Sequence, residues 1–154
     1  MKVVAYSNSH EVGIMIKEFV VEQWRIDQGE GVSITMPSIV FDIMKHDFDP
    51  ISEIMTLLAV STDNKVVKKY MIVKGANNCV YATPKDIFTP LLLMGCSKFI
   101  LCHNHPSGNV SPSKEDIVFT QKVVKSSKIL GLTLLDHMIY TDSSYTSLKA
   151  MGML

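Results

Sequence analysis

Residues 98–116 read Lys-Phe-Ile-Leu-Cys-His-Asn-His-Pro-Ser-Gly-Asn-Val-Ser-Pro-Ser-Lys-Glu-Asp. The segment 98–101, which is apolar after Lys98, is typical of a short buried strand, and a His-x-His pair follows Cys102. Because side chains alternate along an extended chain, His103 and His105 lie on the same face at the end of this strand. The two imidazoles can therefore bind one metal ion together.

Asp116 adds a carboxylate after a loop that contains two prolines and a glycine. Two imidazoles and one carboxylate form a ligand set typical of catalytic zinc, with a fourth position left for water. A second interpretation exists, because Ser113-x-x-Asp116 ahead of an apolar run is also a capping box. Capping and catalysis are compatible for Ser113. Asp116 cannot easily serve in both roles, and we expect it to be a metal ligand because the neighbouring spacing favours zinc.

The segments around this stretch alternate between strand and helix patterns. In chain order the patterns predict helices at 11–24 and 37–45, a hairpin of strands at 54–60 and 66–73, a helix that Thr83 opens and Gly95 ends, the strand at 98–101, a helix from Ser113 to about Leu130, a strand at 132–139 and a short helix at 147–151. Strands that alternate with helices predict an α/β layered domain.

Composition favours one folded domain without a strong preference for nucleic acid. The chain has 154 residues, enough to bury a single substantial core. Fifteen basic residues balance fifteen acidic ones, so the charge expected of a dedicated nucleic-acid binder is missing. Lys122, Lys125 and Lys128 fall on one face of a predicted helix; a local basic patch and a solvated face are both consistent with them, and we favour the solvated face.

Targeting signals and paired cysteines are also missing from the sequence pattern. The first residues turn polar too soon for a secretory signal, and no apolar run approaches transmembrane length, so we expect a cytoplasmic protein with no membrane partner. Cys79, Cys96 and Cys102 are odd in number and lack Cys-x-x-Cys spacing, which argues against disulfides and a structural zinc knuckle. We expect reduced core thiols, with Cys102 facing away from His103.

Hydrolysis at such a metal needs a carboxylate that takes a proton from water and delivers it to the leaving group. Glu115 neighbours Asp116, but it lies about 100° around the helix and is predicted to point away from the metal. Glu53 precedes the predicted strand at 54–60. If that strand runs antiparallel to 98–101, Glu53 meets the end that carries the histidines. A glutamate that opens a strand is more often a solvated edge residue, so both roles stay open.

Together these residues resemble the JAMM metallopeptidase signature of JAB/MPN domains: an upstream Glu, His-x-His, seven residues, then Ser-x-x-Asp. More closely, residues 103–108, 112–116 and 135–137 look like the C-terminal domain of the RadC family. The similarity runs from about Ser33 to Gly152. We therefore expect a RadC-like JAB/MPN domain at 33–154 and an N-terminal helical extension at 1–32.

The resemblance implies a three-layer α/β/α fold with a mixed sheet, similar to cytidine deaminases. It also implies roles for five residues: Zn2+ bound by His103, His105 and Asp116, Glu53 as general acid/base, and Ser113 as a group that stabilises the oxyanion. Longer RadC relatives carry an N-terminal helix-hairpin-helix-like region. Residues 1–31 are too short for it and lack its glycine-hairpin pattern, which weakens any inference of DNA binding.

Two function classes remain. The leading one is a zinc-dependent hydrolase, a metallopeptidase or isopeptidase that acts on a peptide or isopeptide substrate with a zinc-activated water. The alternative is a DNA-repair or recombination accessory protein that binds nucleic acid without peptidase activity. A zinc deaminase of similar fold would need a Pro-Cys-x-x-Cys element, which the sequence lacks.

Two features have no assigned part in the chemistry. The apolar stripe of the predicted helix at 11–24 favours packing or self-association, including a homo-oligomer, over catalysis. Asp136 and His137 match the family, but the residues alone assign them no role. His137 could orient a metal ligand, or it could be a partly buried strand histidine with a satisfied hydrogen bond, which we favour.

Overall fold

The computed structural model describes residues 31–75 and 82–154 with their side chains, and the backbone of three short strands nearer the N-terminus. These strands are β1 (Tyr6–Asn8), β2 (Glu11–Gly13) and β3 (Arg25–Ile26). The elements that follow are α1 (Pro37–Met44), a 3-10 helix (Lys45–Asp47), β4 (Ile54–Val60), β5 (Val66–Lys74), α2 (Pro84–Met94), β6 (Lys98–Asn104), α3 (Lys114–Ile129), β7 (Thr133–Tyr140) and β8 (Tyr145–Ser147).

Six of the described strands form one mixed sheet in the order β3-β5-β4-β6-β7-β8. Neighbouring strands are antiparallel except β6 and β7, which are parallel. In the pairing of β4 with β6, Met55 lies opposite His103. The start of β4 therefore lies beside the end of β6, as the predicted placement of Glu53 requires.

Two apolar cores lie on the two faces of this sheet. Alternate positions such as Leu58 and Cys102 face α1. The intervening positions, such as Leu57 and Leu101, face α2 and α3. His103 continues the second series, so it lies on the side of α2 and α3. The result is the predicted three-layer α/β/α fold, and the alternation of strand side chains is what separates the two cores.

The start and end of α2 follow the signals in the sequence. Thr83 Oγ1 accepts a hydrogen bond from the backbone N–H of Asp86, and the Asp86 carboxylate accepts from the backbone N–H of Thr83. These reciprocal bonds form the predicted capping box. At the other end, Gly95 has a φ of 67°, a left-handed conformation that glycine adopts without a steric penalty.

Two predicted helices differ from the structure. The helix at 11–24 does not begin at Glu11, because Glu11–Gly13 forms a strand that pairs with Tyr6–Asn8. Residues 14–24 lie outside the described residues. The predicted boundary between an N-terminal extension at 1–32 and the domain at 33–154 stays a prediction. The helix at 147–151 is wrong. Ser147 instead ends β8, and the Leu148 N–H still donates to the His137 carbonyl on β7, so pairing with the sheet outweighs the local helical spacing.

Other predictions concern the cysteines, lysines and membrane contact. Cys102 is buried on the α1 side, opposite His103 as predicted, and burial raises the pKa of its thiol well above the usual value. Cys96 is half-buried, and Cys79 lies outside the described residues. The three lysines of α3, Lys122, Lys125 and Lys128, are exposed. Within the described ranges, no helix has the length and apolar character needed to cross a membrane.

Candidate metal centre

The structure brings together the three predicted metal ligands. His103 Nε2 lies 3.2 Å from Asp116 Oδ1, and His105 Nε2 lies 3.5 Å from Asp116 Oδ2. The two Nε2 atoms are 3.0 Å apart. One potential ligand atom from each residue lies within 4.8 Å of the others. Strand β6 supplies the histidines, and the first turn of α3 supplies the carboxylate.

The Asp116 carboxylate takes part both in helix capping and in the contacts with the histidines. Oδ2 accepts from the backbone N–H and the hydroxyl of Ser113, at 2.8 and 2.6 Å. Oδ1 faces the Nε2 atom of His103. Oδ2 also lies 3.5 Å from His105 Nε2, so the capping box and the approach of the histidines to this carboxylate occur together. The role of Asp116 as a metal ligand stays a prediction, and the capping box fixes the direction in which the carboxylate points.

The electrostatics of this cluster favour a positive charge between its members. Burial by itself would raise the pKa of Asp116, but its contacts with the His103 and His105 rings outweigh this and hold the pKa far below the usual range. Burial would lower the pKa of His105, yet bonds to the Asp116 carboxylate and the Asn109 carbonyl raise it overall. A proton or a metal cation among the three groups would satisfy both preferences.

The hydrogen bonding of His105 also fits a metal ligand. Its Nδ1 lies 2.7 Å from the carbonyl oxygen of Asn109. A carbonyl can only accept, so Nδ1 carries the hydrogen and Nε2 of the neutral ring keeps a free lone pair. That lone pair faces Asp116 and the Nε2 of His103. The lone pair of His105 and the Asp116 carboxylate, both hydrogen-bond acceptors, thus face each other, which is an arrangement that favours a cation between them.

His137 lies behind His103. Its Nε2 is 2.9 Å from His103 Nδ1, and its Nδ1 is 2.6 Å from Thr120 Oγ1. Burial, followed by the charge of His103, lowers the pKa of His137 well below the usual value, which favours a neutral ring. His137 is a satisfied strand histidine, as we favour from the sequence, but its partner is a predicted ligand, and this contact supports the orienting role.

Asp136 points to the opposite face of the sheet and serves the C-terminal segment. It accepts from the Ser147 hydroxyl at 2.6 Å, the Lys149 N–H at 3.1 Å and the His137 N–H at 2.8 Å. Burial is the main cause that raises the pKa of this carboxyl. Asp136 therefore anchors the residues after β8 and takes no part in the metal centre.

A cavity of about 870 Å3 opens over the three ligands. Glu53 lines it from the residue just before β4, half-buried and outside the three-residue ligand group. Glu115 lines the same cavity, which extends over the first turn of α3, but it is exposed and also outside the ligand group, so its predicted direction away from the metal stays a prediction. Of the two glutamates, Glu53 contributes charge to the environment of His105.

Asn104 fixes the segment that carries Glu53 against the histidine strand. Its side-chain amide donates to the carbonyl oxygens of Asp49 and Ser52, at 2.7 and 3.0 Å. Its oxygen accepts from the Ile54 N–H at 2.7 Å. The Asn104 side chain is wholly buried, so these bonds form without competition from water. The position of Glu53 relative to His103 therefore depends on Asn104.

Three contributors to the site escape sequence reasoning: Asn104, Asn109 and Thr120. Asn104 had a visible signal, since an amide in a strand that is buried on both faces needs partners across the sheet. Thr120 lies four residues after Asp116, and therefore on the same face of α3. Asn109 contributes only a backbone carbonyl, for which residue type gives no signal.

Comparison with known proteins identifies the family. A profile described as "RadC-like JAB domain" matches residues 34–153. The chain is similar to UPF0758 proteins of three organisms. It is 42% identical over 100 residues to that of Methanococcoides burtonii, which covers 65% of this chain and 44% of the relative. It is 32% identical over 142 residues to that of Aquifex aeolicus, with 92% of this chain and 62% of the relative covered, and 38% identical over 122 residues to that of Staphylococcus aureus, with 79% of this chain and 54% of the relative covered.

The chain thus spans only about half the length of the curated relatives it matches. The wider JAB superfamily includes metallohydrolases, whereas the names of these relatives state no activity. The profile match covers β4 to β8 and all three helices, including every residue of the metal centre. On this match, the chain belongs to the RadC-like JAB domain family.

Proposed function

We propose that this protein is a zinc-dependent hydrolase of peptide or isopeptide bonds. One observation carries the proposal: two imidazole nitrogens and a carboxylate converge within 4.8 Å, and a further carboxylate, Glu53, lines the same cavity. That combination of a three-ligand centre and a separate acid/base group is what metal-assisted hydrolysis requires. The chain matches only about half the length of its relatives. Any activity of a whole protein of that length is therefore also part of this proposal.

His103, His105 and Asp116 would hold the metal. Two imidazoles with one carboxylate suit zinc and leave a coordination position for water or substrate. Zinc, when bound, lowers the pKa of a water molecule and polarises a carbonyl group. The protein's own contribution is to fix the three ligands: the capping box orients Asp116, and the Asn109 carbonyl orients His105.

Glu53 is the proposed general acid/base. It is half-buried in the cavity wall, and Asn104 clamps the residues on either side of it. The Gly75 N–H also donates to the Glu53 carbonyl at 2.8 Å, which further restrains the backbone. A glutamate that is held in place can take a proton from the attacking water and return it to the leaving amine.

Ser113 has a more restricted role than the resemblance implies. Its single hydroxyl hydrogen is donated to Asp116 Oδ2, and its oxygen accepts from the Asp116 N–H at 3.1 Å. It can stabilise an oxyanion only if the hydroxyl leaves Asp116 during the reaction. The proposed oxyanion role therefore competes with the capping box, and the first expected effect of losing Ser113 is a less restrained Asp116.

Peptide or isopeptide amides are the proposed substrates because the cavity combines polar and apolar walls. Its lining includes the apolar side chains of Met55 and Phe119, together with hydroxyl and amide groups on the loop that follows His105. An amide substrate could place its carbonyl near the ligands and its side chains against the apolar wall. Cavities of this size bind small molecules or short segments of chain.

The test compares Glu53→Gln with Glu115→Gln, because both glutamates line the cavity and only Glu53 is the proposed base. Quenched fluorescent peptides and lysine-branched isopeptides serve as probes for the zinc-loaded proteins. We expect Glu53→Gln to keep its zinc and lose hydrolysis by about 10²-fold or more, the effect of a positioned proton-transfer group. Glu115→Gln should keep both zinc and activity.

Nucleic-acid binding is measured on the same proteins at two salt concentrations. A phosphate-binding function would weaken steeply with salt and would survive Glu53→Gln. If wild type cleaves no amide or isopeptide and binds DNA tightly in this salt-sensitive way, the hydrolase proposal is wrong. Equal loss of hydrolysis in both glutamate variants would contradict the role assigned to Glu53.

A further inference from the structure

Behind the metal-binding side of His103, a chain of hydrogen bonds leads into the core. His103 Nδ1 contacts His137 Nε2 at 2.9 Å, and His137 Nδ1 contacts Thr120 Oγ1 at 2.6 Å. Thr120 Oγ1 in turn donates to the backbone carbonyl of Asp116 at 2.6 Å. His137 and Thr120 are wholly buried. These contacts must therefore satisfy their polar atoms without help from bulk water.

The last member of the chain fixes the direction of every bond in it. The Asp116 carbonyl has no hydrogen, so the single hydrogen of the Thr120 hydroxyl is directed to it. Thr120 Oγ1 must then accept from His137 Nδ1–H. A neutral imidazole carries one hydrogen, so His137 Nε2 is unprotonated and accepts from His103 Nδ1–H. His103 Nε2 is left with a free lone pair, facing Asp116.

We propose that Thr120 and His137 are positioning residues that hold His103 in the tautomer with an unprotonated Nε2 directed at the metal position. The inference rests on the proposed metal site but not on hydrolase activity. If the bonds ran in the opposite direction, His103 Nε2 would carry a hydrogen. A metal ion would then have to displace it, with a penalty in affinity.

The two histidine ligands therefore reach the same protonation pattern by different means. A backbone carbonyl on the loop sets His105 directly, whereas His103 depends on two side chains deeper in the fold. Helix α3 carries both Asp116 and Thr120, four residues apart. One face of α3 thus supplies the ligand Asp116 and sets the protonation of a second ligand, His103. The packing of α3 against the sheet therefore affects two of the three ligands.

The sharpest variant is Thr120→Val, which keeps the side-chain shape and removes only the hydroxyl. The Asp116 carbonyl retains its helical partner, the N–H of residue 120. Thr120→Ser is the matched control, because it restores the hydroxyl. Nitrogen-15 NMR of the histidine rings, in chelator-treated protein at about pH 9, reports which ring nitrogen is protonated, well above the ordinary histidine pKa of about 6.5.

We expect wild type and Thr120→Ser to show His103 and His137 protonated only at Nδ1. In Thr120→Val, a population of His103 protonated at Nε2 should appear. Competition with a chelator should then show zinc affinity about 10- to 100-fold weaker in Thr120→Val, the usual effect of losing a partner that orients a ligand, and close to wild type in Thr120→Ser.

Two results would overturn the inference: wild-type His103 protonated at Nε2 in the metal-free protein, or a folded Thr120→Val that binds zinc as tightly as wild type. Failure of the metal site is separate from these. If the expected tautomers are found but wild type binds no zinc, the hydrogen-bond direction is upheld and the proposed zinc site is wrong.

Discussion

Helices α2 and α3 begin with the same local device, yet only one of them contributes to the candidate centre. Thr83 and Asp86 form a capping box with bonds of 2.9 and 2.6 Å to the carboxylate. Ser113 and Asp116 form another with bonds of 2.8 and 2.6 Å. Both Thr83 and Ser113 line the same cavity. The capping geometry is nearly identical, so it cannot explain the difference in chemistry.

What differs is the surroundings of the carboxylate group. Asp116 faces His103 and His105, and its contacts with these rings hold its pKa far below the usual range despite burial. The hydrogen bond from Thr83 is the main cause that lowers the pKa of Asp86, and no histidine contributes. A Ser/Thr-x-x-Asp motif thus fixes the direction of a carboxylate, and the strand that it meets decides whether the carboxylate can serve as a ligand.

The largest expected effect is the contrast between Asp116→Ala and Asp86→Ala. Asp116→Ala should lose bound zinc. Its zinc affinity should fall by more than about 10- to 100-fold, the decrease that is typical when a group that only orients a ligand is removed. Asp86→Ala should keep full zinc content and lose only about 0.3 to 1 kcal/mol of stability from the helix N-terminus. Metal analysis after dialysis and urea unfolding would measure both. Zinc retention by Asp116→Ala would contradict the assignment.

The pH dependence of zinc affinity should follow His105. Because its pKa is raised in the fold, protons compete with zinc from above the ordinary histidine pKa of about 6.5, and affinity should fall as the pH is lowered through that range. In metal-free protein the sign for stability is opposite: the raised pKa favours the folded state at low pH, and this contribution is lost as pH rises through the folded-state pKa.

Chelator competition across a pH series measures this effect, with Asp86→Ala as a control that should give the wild-type profile. An affinity that stays constant down to about pH 5 would mean that the histidines do not bind the ion, because the ordinary pKa alone requires competition there.

The smallest expected effect separates the two capping residues. Ser113→Ala and Thr83→Ala should each cost about 0.5 to 2 kcal/mol of stability through loss of the N-cap. Only Ser113→Ala should also weaken zinc, since Ser113 holds the carboxylate of Asp116. Thermal or urea unfolding and zinc titration of the two variants provide the measurements. An equal change of zinc affinity in both would remove the distinction between the two helix starts.

The sequence predicts those features of the fold and of the metal centre that depend on local spacing. His-x-His at the end of an apolar run, the hairpin of β4 and β5 and the two capping boxes all follow from strand alternation and helix-start chemistry. The antiparallel placement that brings Glu53 near His103 also follows, but only on the condition that β4 pairs with β6.

The features that the sequence does not predict depend on contacts between residues that are distant in sequence. Asn104 binds backbone atoms about 50 positions away, and His137 meets His103 only because β6 and β7 pair in parallel. The predicted C-terminal helix fails for the same reason: bonds from Ser147 and Leu148 to β7 hold the start of this segment on the sheet, and only a turn follows. Local periodicity carries no information about such partners, and a strand register or a buried polar group determines them.

The most direct test of the central claim is anomalous diffraction at the zinc edge from crystals of the protein grown with zinc. We expect one strong peak per chain at about 2.0 to 2.2 Å from Nε2 of His103, Nε2 of His105 and a carboxylate oxygen of Asp116. A peak held by other residues, with no density among these three side chains, would contradict it.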